Sequence, residues 1–338
     1  MPSLVNNKIL IVGGAGYIGS VLTRYLLGQG YKVTVLDALL YKNYFSIKSL
    51  KNNKNFNFIK GNFNNNFLLK KSLENVKDVI FLAGLVGDPI SKKYPKRSRL
   101  INYYYIKKCF KRLNKYSINK LIFISSCSNY GLLPTNKLAN EESKLNPLSY
   151  YAKDKVRVEN YLIKNQKKNK FKTIILRFST AFGHSPRMRF DLTINDFIRQ
   201  LYLKKTLRVY DPLTWRPYCH VKDFSMIINK FIKKHNIKDK INIYNCGNNK
   251  NNFTKKSIVD KIKSFLPLGV VDYVGLEGKD KRNYKVDFRK LEKNLKFKTT
   301  YTVEYGINEI ISALKKEKYN KKEFSYGNFK IENCSKKK

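Results

Sequence analysis

"KILIVGGAGYIGSVLTRYLLGQG" runs from Lys8 to Gly30. An apolar run (8–12) gives way to glycines at 13, 16 and 19. Beyond them Ile18, Leu22, Tyr25 and Leu26 recur at helical spacing. The stretch reads as strand, tight loop, helix. Glycine in such a loop permits the sharp turn, lets backbone N–H groups approach a pyrophosphate and allows the helix to pack on the strand. The next apolar run, "KVTVLD" (32–37), ends on Asp37, at about the distance expected of an acid that accepts from an adenosine ribose. Its carboxylate repels an added phosphate, which favours NAD over NADP. Gly13, Gly16 and Gly19, with Tyr17 and Ile18 between them, and Asp37 are therefore expected to bind the dinucleotide.

The same pattern continues outward. Further apolar runs are "FNFIKG" (56–61), "DVIFLAG" (78–84), "KLIFISS" (120–126), "KTIILRF" (172–178) and "INIYNCG" (241–247). Strands apolar on both faces and alternating with helices indicate a parallel sheet covered on both sides. The expected fold is α/β: a Rossmann-type doubly wound parallel sheet with a smaller mixed α/β C-terminal substrate domain. The dinucleotide-binding domain is placed at 1–177, with 238–250 returning to it. The substrate-binding domain takes 178–237 and 251–325, and 326–338 is expected to be a flexible basic tail.

The formal net charge is +45, which invites a nucleic-acid reading. The lysines, however, are spread along the whole chain among asparagine, tyrosine and isoleucine, as base-composition drift would leave them. A specific nucleic-acid partner is not expected. The five cysteines (109, 127, 219, 246 and 334) make no metal-ligand or CxxC spacing and read as reduced thiols; no metal is expected. "MPSLVNNKILIVGG" enters a strand without a signal peptide, and no stretch reaches the roughly 18 apolar residues of a membrane span. These features point to a cytoplasmic protein without membrane attachment.

The fifth run ends in "ISSCSNYG" (124–131), and "SYYAKDK" (149–155) follows. Ligands of a doubly wound sheet sit outside the carboxyl ends of the strands, so these hydroxyls should face the cleft. Tyr151 and Lys155 stand one helical turn apart on one face; Tyr150 has no lysine at that spacing. The assembly resembles the extended short-chain dehydrogenase/reductase family, in particular its nucleotide-sugar epimerases and dehydratases. The resemblance covers nearly the whole chain. It includes "LAGLVGDP" (82–89), "INYY" (101–104), "LRFSTAFG" (176–183), "SPRMRFDL" (185–192), "WRPYCHVKD" (215–223), "YNCG" (244–247) and "DKRNYKVDF" (280–288).

The resemblance implies roles. Tyr151 would be the base that takes a proton from a sugar hydroxyl. Its ordinary pKa near 10 requires help, which Lys155 and a positive nicotinamide would give, Lys155 also holding the nicotinamide ribose. Ser126 would hydrogen-bond the reacting hydroxyl. Leu82, Ala83 and Asn102 would support or contact NAD, and Asn62 would take the place of an aspartate that accepts from adenine. Arg216 and Arg282 match arginines that bind a nucleotide diphosphate or ribose, a task suited to the guanidinium fork. Arg187, like Arg189, is a further candidate for substrate phosphate or sugar, and His220 reads as structural. A homodimer through the helices around 101–115 and 151–166 is also implied.

Departures narrow the reaction. Phe81 replaces a frequent histidine, and Thr180 stands where many relatives carry a substrate-binding asparagine. The dehydratases carry an Asp-Glu pair after the catalytic hydroxyl; here Cys127 and Ser128 stand there. The glutamate of the decarboxylases is absent at Ser128. Cys127 is one residue away from the cysteine base of certain GDP-sugar epimerases and is assigned no catalysis. An epimerase acting on a nucleotide-diphosphate sugar remains, with a dehydrogenase, reductase or dehydratase of the same family as the alternative, and a non-catalytic NAD- or RNA-binding relative behind both.

Overall fold

The computed structural model describes residues 7–237, 239–275, 282–316, 319 and 326–331. The seven apolar runs form seven strands: β1 (Lys8–Val12), β2 (Lys32–Asp37), β3 (Phe56–Lys60), β4 (Val76–Phe81), β5 (Lys120–Ser126), β6 (Lys172–Phe178) and β7 (Ile241–Cys246). All pair in parallel, in the order β3-β2-β1-β4-β5-β6-β7. The chain lays strands outward from β1, then jumps back beside it with β4. That reversal opens a crevice at the carboxyl ends of β1 and β4, where such sheets bind ligands.

Alternation along the strands explains why both faces are covered. Ile9 and Ile11 of β1 point to one core, Leu10 and Val12 to the other, and all four are buried. The helices used below are α1 (Tyr17–Gly28), α2 (Ile106–Leu113), α3 (Tyr150–Lys164), α4 (Thr193–Lys204), α5 (Val221–Lys233), α6 (Lys255–Lys263) and α7 (Val303–Lys315). On the first face Leu22 and Leu26 of α1 pack with Phe224, Ile227, Ile228 and Phe231 of α5. On the second lie Phe110 and Leu113 of α2 and Val158 and Leu162 of α3. Each such side chain contributes on the order of 1.5–3 kcal/mol when withdrawn from water. Phe81 sits edge-to-face between Phe63 and Phe110, with ring centroids 5.1 and 5.0 Å away. It fills the core at a position where the resemblance suggested a polar residue.

The smaller unit is built on α4, α6 and α7, which share a third core with Phe182, Leu207, Val209 and Tyr218. Its strands are short: Thr180–Phe182, Trp215–His220 and Asn252–Thr254 form one sheet, and Thr206–Tyr210 pairs in parallel with Val270–Val274. Two boundaries differ from the expected ones. Helix α5, assigned to the substrate domain, packs on the Rossmann sheet, as do Leu291, Leu295 and Phe297. The segment 326–331, expected to be loose, lies against the body. Phe190 N donates to Tyr326 O, Asn328 Nδ2 donates to Val86 O, and Ile331 is buried in the second core. Residues 332–338, with Cys334, lie outside the described residues.

Among the described residues, no helix is long and apolar enough to cross a membrane, and no His/Cys/Asp/Glu cluster has the makings of a metal site. Cys109, Cys127, Cys219 and Cys246 are buried and unbridged. His220 is structural, as expected: its Nδ1 accepts from Lys222 N at the start of α5, and its Nε2 lies 3.0 Å from Glu309 Oε2. His220, Lys222 and the His184 backbone hold that carboxyl at about 2 against the upward pull of burial.

Candidate active site

A cleft of about 1080 Å³ opens at the carboxyl ends of β1, β2, β4 and β5 and is roofed by the smaller unit. Gly13, Gly16, Tyr17, Ile18 and Gly19 form its floor. Gly13 has φ 91°, and a Cβ there would lie 2.7 Å from Ala83 N, so the β1 and β4 loops approach each other only through glycine. A Cβ on Gly19 would run into Gly13 O, so this glycine seats α1 on the loop. The first turn of α1 carries no acidic residue and no side-chain cap. Its orphan N–H groups face the cleft as an anion cradle.

Asp37 ends β2 beside this loop. Its Oδ2 accepts from Ala15 N at 3.0 Å and its Oδ1 from Leu39 N at 2.8 Å. Burial pushes its pKa up, and those two N–H groups with Arg187 pull the other way. Each oxygen keeps a lone pair for a ribose hydroxyl. Asn62, Leu82 and Ala83 also line the cleft; the Asn62 oxygen accepts from Asn64 N, which leaves its amino group to donate. The glycine approach, the orphan amides and the carboxylate fit NAD: one end would take the pyrophosphate, the other the adenosine ribose.

Asn102 stands behind the wall of the cleft. It does not line the cleft. Its Oδ1 accepts from Leu85 N, and its Nδ2 donates to Leu85 O and Ser98 Oγ. This asparagine anchors the loop after β4 from behind, and all its polar atoms are engaged in doing so.

Across the cleft, β5 delivers Ser126 and α3 delivers Tyr151 and Lys155, all three lining the same cavity. Ser126 Oγ lies 2.8 Å from Ser128 Oγ and accepts from Ser128 N, capping a short 3₁₀ turn (Cys127–Tyr130). Ser149 caps α3 through Ala152 N. Lys155 Nζ donates to Ile124 O at 2.6 Å and lies 5.7 Å from the Tyr151 ring centroid. Burial lowers the Lys155 pKa to about 7, against the opposing pull of Glu159. Burial and the Asp88 carboxylate push the Tyr151 phenol well above its usual range, while Arg189 and Arg282 favour ionisation. Tyr150 is half-exposed at the rim.

The arginines divide. Arg282 Nη1 pairs with Asp88 Oδ2 at 2.5 Å, and Arg216 donates to the carbonyl oxygens of Trp215 and Arg282 while stacking over Tyr284. Both line the cavity, and the Arg282 charge reaches Tyr151. Arg187 instead lies over Tyr41, near Asp37, and donates to Gly327 O and Met188 O. It stands at the Asp37 carboxylate, away from Arg216 and Arg282. Arg189 is clasped by Asp191 at 2.5 and 3.0 Å. Cys127 turns away from the cavity, donating its thiol to Arg177 O, and burial pushes its pKa up.

Sequence reasoning missed Asp88 and the buried pair Glu159–Arg177 behind the site. Glu159 was within reach: it stands four residues after Lys155, on the same helical face.

The sequence model of the "NAD dependent epimerase/dehydratase family" matches residues 9–247. The chain belongs to that family. It is one of the extended short-chain dehydrogenase/reductases, and the protein is an NAD-dependent enzyme. It is 27% identical to Protein CapI of Staphylococcus aureus over 90% of this chain and 97% of that one. A UDP-glucose 4-epimerase of Lactobacillus helveticus is 31% identical over 53% of each chain, so the match spans about half that relative. Among solved structures, dTDP-glucose 4,6-dehydratase of Bacillus anthracis in complex with NAD superposes with a TM-score of 0.79 at 26% identity, over 92% of this chain and 97% of that one.

Proposed function

We propose that this enzyme is a nucleotide-sugar epimerase, oxidising a sugar hydroxyl transiently and reducing the ketone on its other face. The observation that carries the reading is the convergence of Ser126, Tyr151 and Lys155 on one wall of the NAD cleft with no carboxylate at positions 127 and 128. Elimination of water needs an acid and a base beside the reacting hydroxyl. Here the turn offers a thiol facing away and a second hydroxyl. Likeness to both an epimerase and a dehydratase leaves the choice to these side chains.

NAD held in the cleft would supply a hydride acceptor for the sugar carbon and a hydride donor for its return. The protein's part is proton handling and orientation. Tyr151 Oη takes the hydroxyl proton as the C–H bond breaks and gives it back on reduction. Lys155 stabilises the phenolate and holds the nicotinamide ribose. Ser126 holds the reacting oxygen in line with Tyr151. Arg216 and Arg282 bind the diphosphate, with charge-assisted hydrogen bonds suited to it. The same reading gives a homodimer through α2 and α3, near which Leu100, Tyr104 and Tyr150 are exposed; sedimentation velocity measures it.

The test is incubation with catalytic NAD and a panel of UDP-, GDP-, CDP- and dTDP-sugars. An isomer of unchanged mass without net NADH is expected. Loss of water or carbon dioxide, or stoichiometric NADH, overturns the epimerase in favour of the dehydratase, decarboxylase or dehydrogenase that it identifies.

A further inference from the structure

Behind the reacting wall lies a buried ion pair that the mechanism above does not use. Glu159 on α3 is wholly buried, and Arg177 on β6 nearly so. Arg177 Nη2 donates to Glu159 Oε2 at 2.7 Å and its Nε at 3.1 Å. The same carboxylate accepts from Asn129 Nδ2 at 2.9 Å and from Ser125 Oγ. Ser125 is the backbone neighbour of Ser126, and Asn129 belongs to the turn that Ser126 caps. Glu159 is also one helical turn past Lys155. Arg177 goes on to donate to Tyr130 Oη, which donates to Asn245 Oδ1 and so ties in β7.

We propose that Glu159, clamped by Arg177, is a positioning residue that holds the two halves of the reacting wall in register: Ser126 at the end of β5, and Tyr151 and Lys155 on α3. Strand and helix arrive from distant parts of the chain, and a misplacement of about 1 Å costs roughly a hundredfold in rate. A buried carboxylate gripped from three sides fixes their separation more stiffly than apolar packing does. Its charge has a second effect. Lys155 contacts Ile124 O and the Phe123 ring of β5 and faces Tyr151 and Glu159 from its own helix. Glu159 in turn faces Arg177 of β6 and Cys127, and Asp154 is taken up by Arg99 and Arg157. Glu159 is therefore the carboxylate that favours the charged form of Lys155. Without it Lys155 loses its proton at lower pH.

The proposal rests on the reading of Tyr151 and Lys155 given above, and the experiment separates the two. Glu159→Gln strands a buried guanidinium, so the deciding variant is Glu159→Gln/Arg177→Met, which removes both charges together; Glu159→Asp keeps the charge and shortens the reach. NAD affinity by calorimetry and kcat and KM against pH are measured for each. The double variant is expected to fold and to lose at least tenfold in kcat with KM within twofold. Its alkaline limb should move to lower pH, and NAD should bind several-fold more weakly. Glu159→Asp is expected to lose kcat with the limb in place. Failure of the double variant to fold, or a folded variant with wild-type kcat, limb and NAD affinity, overturns the proposal and makes the pair a structural tie only. A wild-type protein without turnover on any nucleotide sugar sinks the proposed function, and NAD affinity, which needs no sugar, still decides this one.

Discussion

Lys155 Nζ donates to the carbonyl oxygen of Ile124 at 2.6 Å, two residues ahead of Ser126. The contact gives the buried amine one acceptor where water would offer several, and burial accordingly holds its pKa down to about 7. Between pH 7 and the ordinary lysine value near 10.4 the unfolded chain binds more protons at this site, so this group's contribution to stability rises with pH and is lost as pH falls through 7. Lys155→Met removes that burden. The variant is expected to be inactive yet to melt roughly 5 °C above the wild type at pH 7, with the difference closing above pH 10. Thermal melts of both proteins across pH 6.5–10.5 check it.

In the proposed reaction Tyr151 carries the proton transfer, while Tyr150, beside it, is half-exposed at the rim. Tyr151→Phe keeps the ring and removes the acid–base group. It is expected to lower kcat about 1,000-fold with little change in NAD affinity or melting temperature. Tyr150→Phe is expected to stay within a few-fold of wild type. Steady-state kinetics on the substrate found in the panel, with calorimetry for NAD, distinguish the two tyrosines.

How much of this was legible beforehand depended on the kind of signal. The seven strands were readable as short apolar runs, most of them apolar on both faces, as a doubly covered sheet requires. Helix α5 was placed in the substrate domain with the rest of 178–237, because periodicity shows that Phe224, Ile227 and Phe231 share a face, and not which sheet that face covers. The tail was misread for a related reason: its lysines describe solvated residues, whereas Ile331 and the backbone of Tyr326 and Gly327 make the attachments. Ser126, Tyr151 and Lys155 were singled out through spacing and resemblance, and all three line the one cleft. Asp88 was not, since its partner Arg282 is remote in sequence and neither residue's neighbours announce the pair.

That pair yields a further prediction. Asp88 lies after β4 and Arg282 on the smaller unit, and their ion pair spans the cavity beside Tyr151. If Arg282 takes the diphosphate, the Asp88 carboxylate competes with it for the same guanidinium. Asp88→Asn is expected to bind a nucleoside diphosphate several-fold more tightly, and Arg282→Ala about tenfold or more weakly. Calorimetry with the diphosphate of the substrate's base measures both. Unchanged affinity in both variants places the diphosphate elsewhere.

Arg187 and Asp37 are expected to set cofactor choice between them. The carboxylate stands where a 2′-phosphate would enter, and the guanidinium beside it is charged at neutral pH, its pKa lowered only to about 10. Asp37 therefore opposes NADP, while Arg187 is a cation of the kind that accommodates a 2′-phosphate. Asp37→Ser removes the repulsion and leaves the cation, so NADP affinity is expected to rise at least tenfold while NAD affinity falls for want of the ribose acceptor. In Asp37→Ser/Arg187→Met the gain for NADP should disappear and the loss for NAD persist. Titration of both cofactors against the three proteins checks it. A gain that survives in the double variant assigns the phosphate to another cation and leaves Arg187 to its contacts with Tyr41 and Gly327.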